Sequence, residues 1–198
     1  MIEDVACVIL AGGKSSRMGE DKALLPFGGF DTLTEYQLNR LSKHFKRVYI
    51  SCKGRSKFDF DANFIEDLDI YNDYAPMIAM ASAIKKINMD YLFFISVDLP
   101  FFGYEEFYKL NKQKEDFQAV VALSTHGYEP LCAIYKRDIV YEIEHLIEQK
   151  KFKFSNLFDN ILVKYIEFKD EKIFLNLNDK TQYNKALKII KERKWLNI

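Results

Sequence analysis

The sequence has no surplus charge of either sign, because 29 Lys and Arg balance 29 Asp and Glu. A protein that tracks a nucleic-acid backbone carries a basic excess, so a nucleic-acid partner is not expected. There is no apolar run of the length that a bilayer demands. The opening Met1-Ile2-Glu3-Asp4 is acidic where a secretory leader is basic. A cytoplasmic protein without a membrane partner is therefore expected. Cysteine is scarce: Cys7, Cys52 and Cys132 are odd in number, far apart and without a CxxC pair. That argues against a zinc site and against a disulfide framework, and predicts buried, inert thiols. His44, His126 and His145 have no ligand spacing. Internal repeats, low-complexity tracts and linkers are also lacking, and 198 residues suit one domain spanning 1–198.

Glycine is scarce too, at eight residues, but three of the eight fall in one stretch, Leu10-Ala11-Gly12-Gly13-Lys14-Ser15-Ser16-Arg17-Met18-Gly19-Glu20-Asp21-Lys22. The stretch follows Val5–Leu10, an unbroken apolar run that reads as a strand buried on both faces. Glycine lets backbone approach a ligand closely, and successive N–H groups in such a loop form a concavity for anions. Lys14, Arg17 and Lys22 add full charges, and Arg17 can grip phosphate oxygens bidentately. The physical reading is a polyphosphate loop at the carboxyl end of the first strand. The Walker A spacing, a glycine and four-residue spacer before Gly-Lys-Ser/Thr, is absent. So is the G-x-G-x-x-G spacing of dinucleotide folds.

Strand and helix patterns alternate through the first 115 residues or so, predicting an α/β three-layer sandwich around a mainly parallel sheet. Strands are expected at Arg47–Cys52, at Phe64-Ile65, at Tyr91–Val97, at Gln118–Leu123, at Leu131–Tyr135 and at Ile161–Phe168. Helices are expected over Thr32–Phe45, from Pro76, over Glu105–Lys114, over Asp138–Gln149 and after Asp179. Ligands of such sheets bind at the carboxyl ends of the strands. Ser51, Asp67 and Asp98 fall at such ends. Asp98 follows six apolar residues and offers a hard oxygen that suits Mg²⁺, although Asp is also a turn former before Pro100. Asp67 is either a nucleotide contact or a loop residue in the cluster Glu66-Asp67-Asp69. Asn176 and Asn178 flank Leu177 and share a direction in extended chain. Either serves metal or second substrate, unless Asn178 only caps the last helix.

The loop resembles the signature L-A-G-G-x-x-x-R-M-G-x-D-K of nucleotidyltransferases with a Rossmann-like, GT-A-like fold. With Val97-Asp98-Leu99-Pro100, Pro130-Leu131-Cys132-Ala133-Ile134-Tyr135 and Asn176-Leu177-Asn178, the chain is similar nearly end to end to the MobA-type molybdenum cofactor guanylyltransferases. The resemblance implies transfer of GMP from GTP to the terminal phosphate of molybdopterin or molybdenum cofactor, with release of pyrophosphate. It implies Arg17, Lys22 and Asp98 as catalytic residues and Asp98 as the Mg²⁺ ligand. Leu10, Ala11, Gly12, Gly13, Arg17, Lys22, Ser51, Asp67 and Asp98 would contact nucleotide. Asn176 and Asn178 would face the second substrate, and delivery proteins of cofactor biosynthesis are possible partners. One departure bears on base choice: the family's G-P-L-A-G turn reads Ala75-Pro76-Met77-Ile78-Ala79 here. Another small nucleotidyltransferase, such as a molybdopterin cytidylyltransferase or one acting on a sugar phosphate or isoprenoid precursor, is the nearest alternative. A non-catalytic nucleotide-binding protein on the same scaffold is the other.

Overall fold

The computed structural model of the protein describes residues 1–13, 19–68 and 75–195. Seven strands form one sheet: β1 (Val5–Leu10), β2 (Val48–Cys52), β3 (Asn63–Glu66), β4 (Tyr91–Ser96), β5 (Ala119–Ser124), β6 (Gly127–Lys136) and β7 (Val163–Glu167). Their order across the sheet is β3-β2-β1-β4-β6-β5-β7. All neighbouring pairs are parallel except β4–β6 and β5–β6, so β6 runs against the rest. The predicted mainly parallel α/β sandwich is what the chain forms.

Among the described residues six α-helices cover the sheet: α1 (Leu33–Ser42), α2 (Pro76–Lys86), α3 (Tyr104–Asn111), α4 (Val140–Glu148), α5 (Phe154–Phe158) and α6 (Lys180–Trp195). Successive strand residues point to opposite faces, and β1 shows this directly. Val5, Cys7 and Ile9 join a core with Leu33 and Leu41 of α1, Phe107 and Leu110 of α3 and Ala186 of α6. Ala6, Val8 and Leu10 join a second core with Met77 and Ile84 of α2, Ile143 of α4 and Leu157 of α5. The strand is buried on both faces, which is why its sequence is continuously apolar.

Local chemistry explains the boundaries. Thr32 caps α1 in a full capping box with Glu35. The helix stops at Ser42, short of the predicted Phe45, which instead bonds back to Leu41 and bridges Ile2. Pro76 opens α2, where its missing N–H costs nothing. Gly28 (φ 63°) and Gly29 (φ 92°) turn the chain between Phe27 and Phe30. A Cβ on Gly28 would lie 2.5 Å from the Tyr36 ring, so space as well as φ reserves that position for glycine. No helix among the described residues is long and apolar enough to cross a membrane.

The topology fixes the site. From β1 the chain builds β2 and β3 to one side, then returns to place β4 on the other. That reversal is a topological switch point, where α/β sheets hold ligands. Leu10 pairs with Ser96, so the loop leaving β1 lies beside the turn leaving β4.

Candidate active site

A cavity of about 330 Å³ opens at this point. Leu10, Ala11, Gly12 and Gly13 enter it from β1, and Ser96, Val97 and Asp98 from β4. Lys22, Lys53 and Asp67 line it from further loops, and Ala75, Pro76 and Ala79 from the start of α2. Lys14 and Arg17 lie outside the described residues.

All three oxygens of Asp98 are held. Ser96 Oγ donates to its Oδ1 at 2.6 Å, and Lys22 Nζ donates to its Oδ2 at 2.6 Å. Lys22 Nζ also donates to Asn178 Oδ1 at 2.9 Å. The peptide N–H of Leu177 donates to the carbonyl of Asp98 at 3.1 Å. Residues 22, 98 and 176–178, scattered through the sequence, therefore meet at one point. Lys22 reaches that point because Asp21 starts a single 3-10 turn there, accepting from the Ala23 N–H at 3.0 Å. Thr34 of α1, fully buried, donates to the Ala23 carbonyl at 2.8 Å and fixes the turn to the helix.

Lys57 holds the two ends of the glycine loop together. Its Nζ donates to the Ala11 carbonyl at 3.0 Å before the loop and to Asp21 Oδ2 at 2.6 Å after it. The ammonium also lies 4.9 Å from the centroid of the Phe58 ring.

The other end of the cavity is different in kind. Asp67 Oδ1 is buried with no hydrogen-bond partner among the described residues. Burial pushes its carboxyl pKa above the usual range, with Lys53 and Lys86 pulling the other way. Its backbone is fixed, because Asp67 N–H bonds the Cys52 carbonyl and Ser82 Oγ accepts from Leu68 N–H. On the Asp98 side, in the turn at 176–178, Asn176 Oδ1 is also buried and unpartnered among the described residues. These are acceptors without donors, at a cost that a ligand N–H or a cation would relieve.

Two sequence-based expectations change here. Ser51 is 1% exposed, its Oγ has no partner among the described residues, and it does not line the cavity; Lys53, two residues on, does. Asn176 and Asn178 are not in extended chain: Asn178 N–H donates to the Asn176 carbonyl at 2.9 Å, which closes a tight turn. Asp179, not Asn178, caps α6, accepting from Gln182 N–H at 2.9 Å. The helix-cap alternative for Asn178 thus gives way to contact with Lys22. All three cysteines are buried and free, as expected, and burial pushes the Cys52 thiol up to about 11. Lys57 and Ser96 belong to no motif, Ser96 being marked only by its place at the end of β4; Asp21 stands in the loop signature, where its pairing with Lys57 leaves no mark.

A family model described as the MobA-like NTP transferase domain matches residues 7–160. This chain belongs to the MobA-like NTP transferase family. A molybdenum cofactor guanylyltransferase from Campylobacter jejuni subsp. doylei is 36% identical over 185 residues, covering 93% of this chain and 96% of the relative. One from Helicobacter pylori strain G27 is 32% identical, covering 97% and 96%. The crystal structure of molybdopterin-guanine dinucleotide biosynthesis protein A from Archaeoglobus fulgidus superposes with a TM-score of 0.81 at 21% identity, over 96% of this chain and all of that one. It supports the MobA-like fold. The chain is accordingly a nucleotidyltransferase, and the cavity at the switch point is its candidate active site.

Proposed function

We propose that this protein transfers GMP from GTP to the terminal phosphate of molybdopterin or molybdenum cofactor, releasing pyrophosphate and forming a guanine dinucleotide cofactor. The observation that carries the reading is the convergence of Lys22, Asp98 and the 176–178 turn beside the glycine loop. The names of the Campylobacter and Helicobacter relatives supply the substrates.

Mg²⁺ fits the donors present. Asp98 offers a carboxylate, and the unpartnered Asn176 Oδ1 belongs to the turn that bonds the Asp98 backbone. No group of three His, Cys, Asp or Glu side chains is clustered among the described residues. Mg²⁺ keeps waters and substrate phosphates and needs one or two protein carboxylates. Asp98 would hold it, and when bound it would neutralise charge on the nucleotide phosphates.

The chain's own residues do the rest. The amides of Gly12 and Gly13 and the cations of Arg17 and Lys22 hold the triphosphate. Lys22 exchanges the Asp98 carboxylate for phosphate oxygens as nucleotide enters. Asp67 accepts the donors of the guanine ring or ribose. An ionised phosphate oxygen of the pterin substrate attacks the α-phosphorus in line. The new P–O bond forms as the bond to the β-phosphate breaks, and pyrophosphate leaves with the electron pair. The nucleophile is already deprotonated, so no general base is required. Asn178, bonded to Lys22, and Asn176 would contact the second substrate. Free, buried thiols suit a reducing compartment, and the cytoplasm is the proposed location.

Ala75 and Ala79 favour one further reading. Both line the cavity, and their methyl groups stand where the family's turn has glycine, so a smaller pyrimidine base is the alternative. Pyrophosphate release is measured with molybdopterin and each of GTP, CTP, ATP and UTP. GTP is expected to give the highest turnover. A preference for CTP makes the protein a cytidylyltransferase, and no release with any nucleotide leaves a binding protein.

A further inference from the structure

Gln37 is fully buried in the middle of α1. A buried amide carries two donors and two acceptor lone pairs, and here all four are used. Nε2 donates to the carbonyl of Val97 at 3.0 Å and to the carbonyl of Leu99 at 3.0 Å. Oε1 accepts from Arg40 Nε at 2.9 Å and from Arg40 Nη2 at 2.6 Å. Arg40 Nη1 donates in turn to the carbonyl of Phe102 at 2.7 Å.

The two carbonyls that Gln37 grips are those on either side of Asp98. The third, that of Asp98 itself, is held by Leu177 N–H. Every carbonyl from 97 to 99 is thus tied to a segment far away in sequence. Arg40 decides which way the amide faces. With the amide flipped, Oε1 would oppose two carbonyls and the NH₂ group would oppose a guanidinium. Only one orientation satisfies the set, and that orientation points two donors at the turn.

We propose that Gln37, locked by Arg40, is a positioning residue for Asp98: it sets the backbone of the 97–99 turn so that the carboxylate is presented to the metal–nucleotide complex. The proposal rests on Asp98 serving as the metal ligand. Neither residue lines the cavity, so their action is through the turn.

Gln37→Glu separates this role from simple packing. Glutamate keeps the volume and the Arg40 pair but turns the two donors into an acceptor facing two carbonyls. Four quantities are measured on the purified full chain: hydrogen exchange across residues 97–101, the Mg²⁺ concentration giving half-maximal pyrophosphate release, kcat, and GTP affinity in EDTA. Exchange across the turn is expected to quicken, half-saturating Mg²⁺ to rise and kcat to fall, each about tenfold or more for two lost buried hydrogen bonds, with metal-free GTP affinity within about twofold. Arg40→Met, at a partly exposed position, is expected to move the same quantities in the same direction by about threefold, and it decides the matter if Gln37→Glu does not fold. Unchanged Mg²⁺ dependence and turn exchange in the folded variants would overturn the proposal, as would an equal loss of metal-free GTP binding. Wild-type protein that ignores Mg²⁺ would instead remove the metal role of Asp98 and the proposal with it.

Discussion

The two ends of the cavity are built on opposite plans. At the β4 end every oxygen of Asp98 is engaged: both carboxylate oxygens by Ser96 and Lys22, the carbonyl by Leu177, with the flanking carbonyls held by Gln37. At the β3 end Asp67 keeps a buried oxygen without a partner among the described residues. A group that must meet a strongly charged ligand in one geometry is fixed beforehand, because preorganised charges cost no reorganisation during reaction. On the proposed function Asp67 reads the base or ribose, and a ligand with matching donors relieves its unmet acceptor.

The largest expected effect comes from breaking the fixed end. Asp98→Asn keeps the shape but loses the charge that a hard cation prefers. Turnover is expected to fall at least about a hundredfold, with Mn²⁺ restoring part of it because that ion accepts neutral ligands more readily. A Mg²⁺ titration of pyrophosphate release that matches wild type would reduce Asp98 to a turn former.

Lys22→Ala follows. Removal of one preorganised cation costs on the order of a hundred- to a thousandfold in rate. The ion pair adds a second expectation. Without the ammonium at 2.6 Å from Asp98, nucleotide-free protein should bind Mn²⁺ more tightly than wild type, as read by electron paramagnetic resonance. Weaker or equal binding would show that Lys22 does not compete with the cation.

Asp67→Asn tests the unsatisfied end. Loss of charge-assisted hydrogen bonds should weaken GTP binding about ten- to a hundredfold, measured calorimetrically. Stability should move the other way. Burial raises the Asp67 pKa in the folded state, so between the unfolded and folded values the native protein holds more protons than the unfolded chain, and stability falls as pH rises through that window. Asparagine removes this penalty. The variant should melt higher than wild type at neutral pH, with the gain disappearing below the ordinary aspartate range. A lower melting temperature at neutral pH would mean that Asp67 is paired after all.

The smallest effect is expected from Ala75→Gly with Ala79→Gly. At Ala75 the backbone is extended (φ −142°), so alanine there is unstrained and changes only the cavity wall. Reopening the wall should shift the GTP-to-CTP turnover ratio by no more than about tenfold, since each methyl contributes little to discrimination.

The strands and helices were largely legible because β1, β4 and α2 are buried on a scale that periodicity records. Lys22 and Asp98 were legible from their place after a buried strand, reinforced by the family motif. What joins them was not. Gln37 sits on the inward face of α1 among Leu33 and Leu41, where a polar residue reads as a break in the pattern. Its meaning depends on carbonyls 60 and 62 positions away, and backbone acceptors leave no mark in a sequence. Lys57 was invisible for the same reason, since half of its clamp is the Ala11 carbonyl.

The bond from Leu177 to the Asp98 carbonyl has a consequence in time. Synthesis runs from the amino terminus, and the β1–β2–β3 half can pair while the rest of the chain is still being made. The turn at 97–99 cannot take its final form until residue 177 has left the ribosome. On the proposed function, nucleotide competence therefore waits for the segment that carries residue 177. A chain that stops short of residue 177 should not be stabilised by added nucleotide.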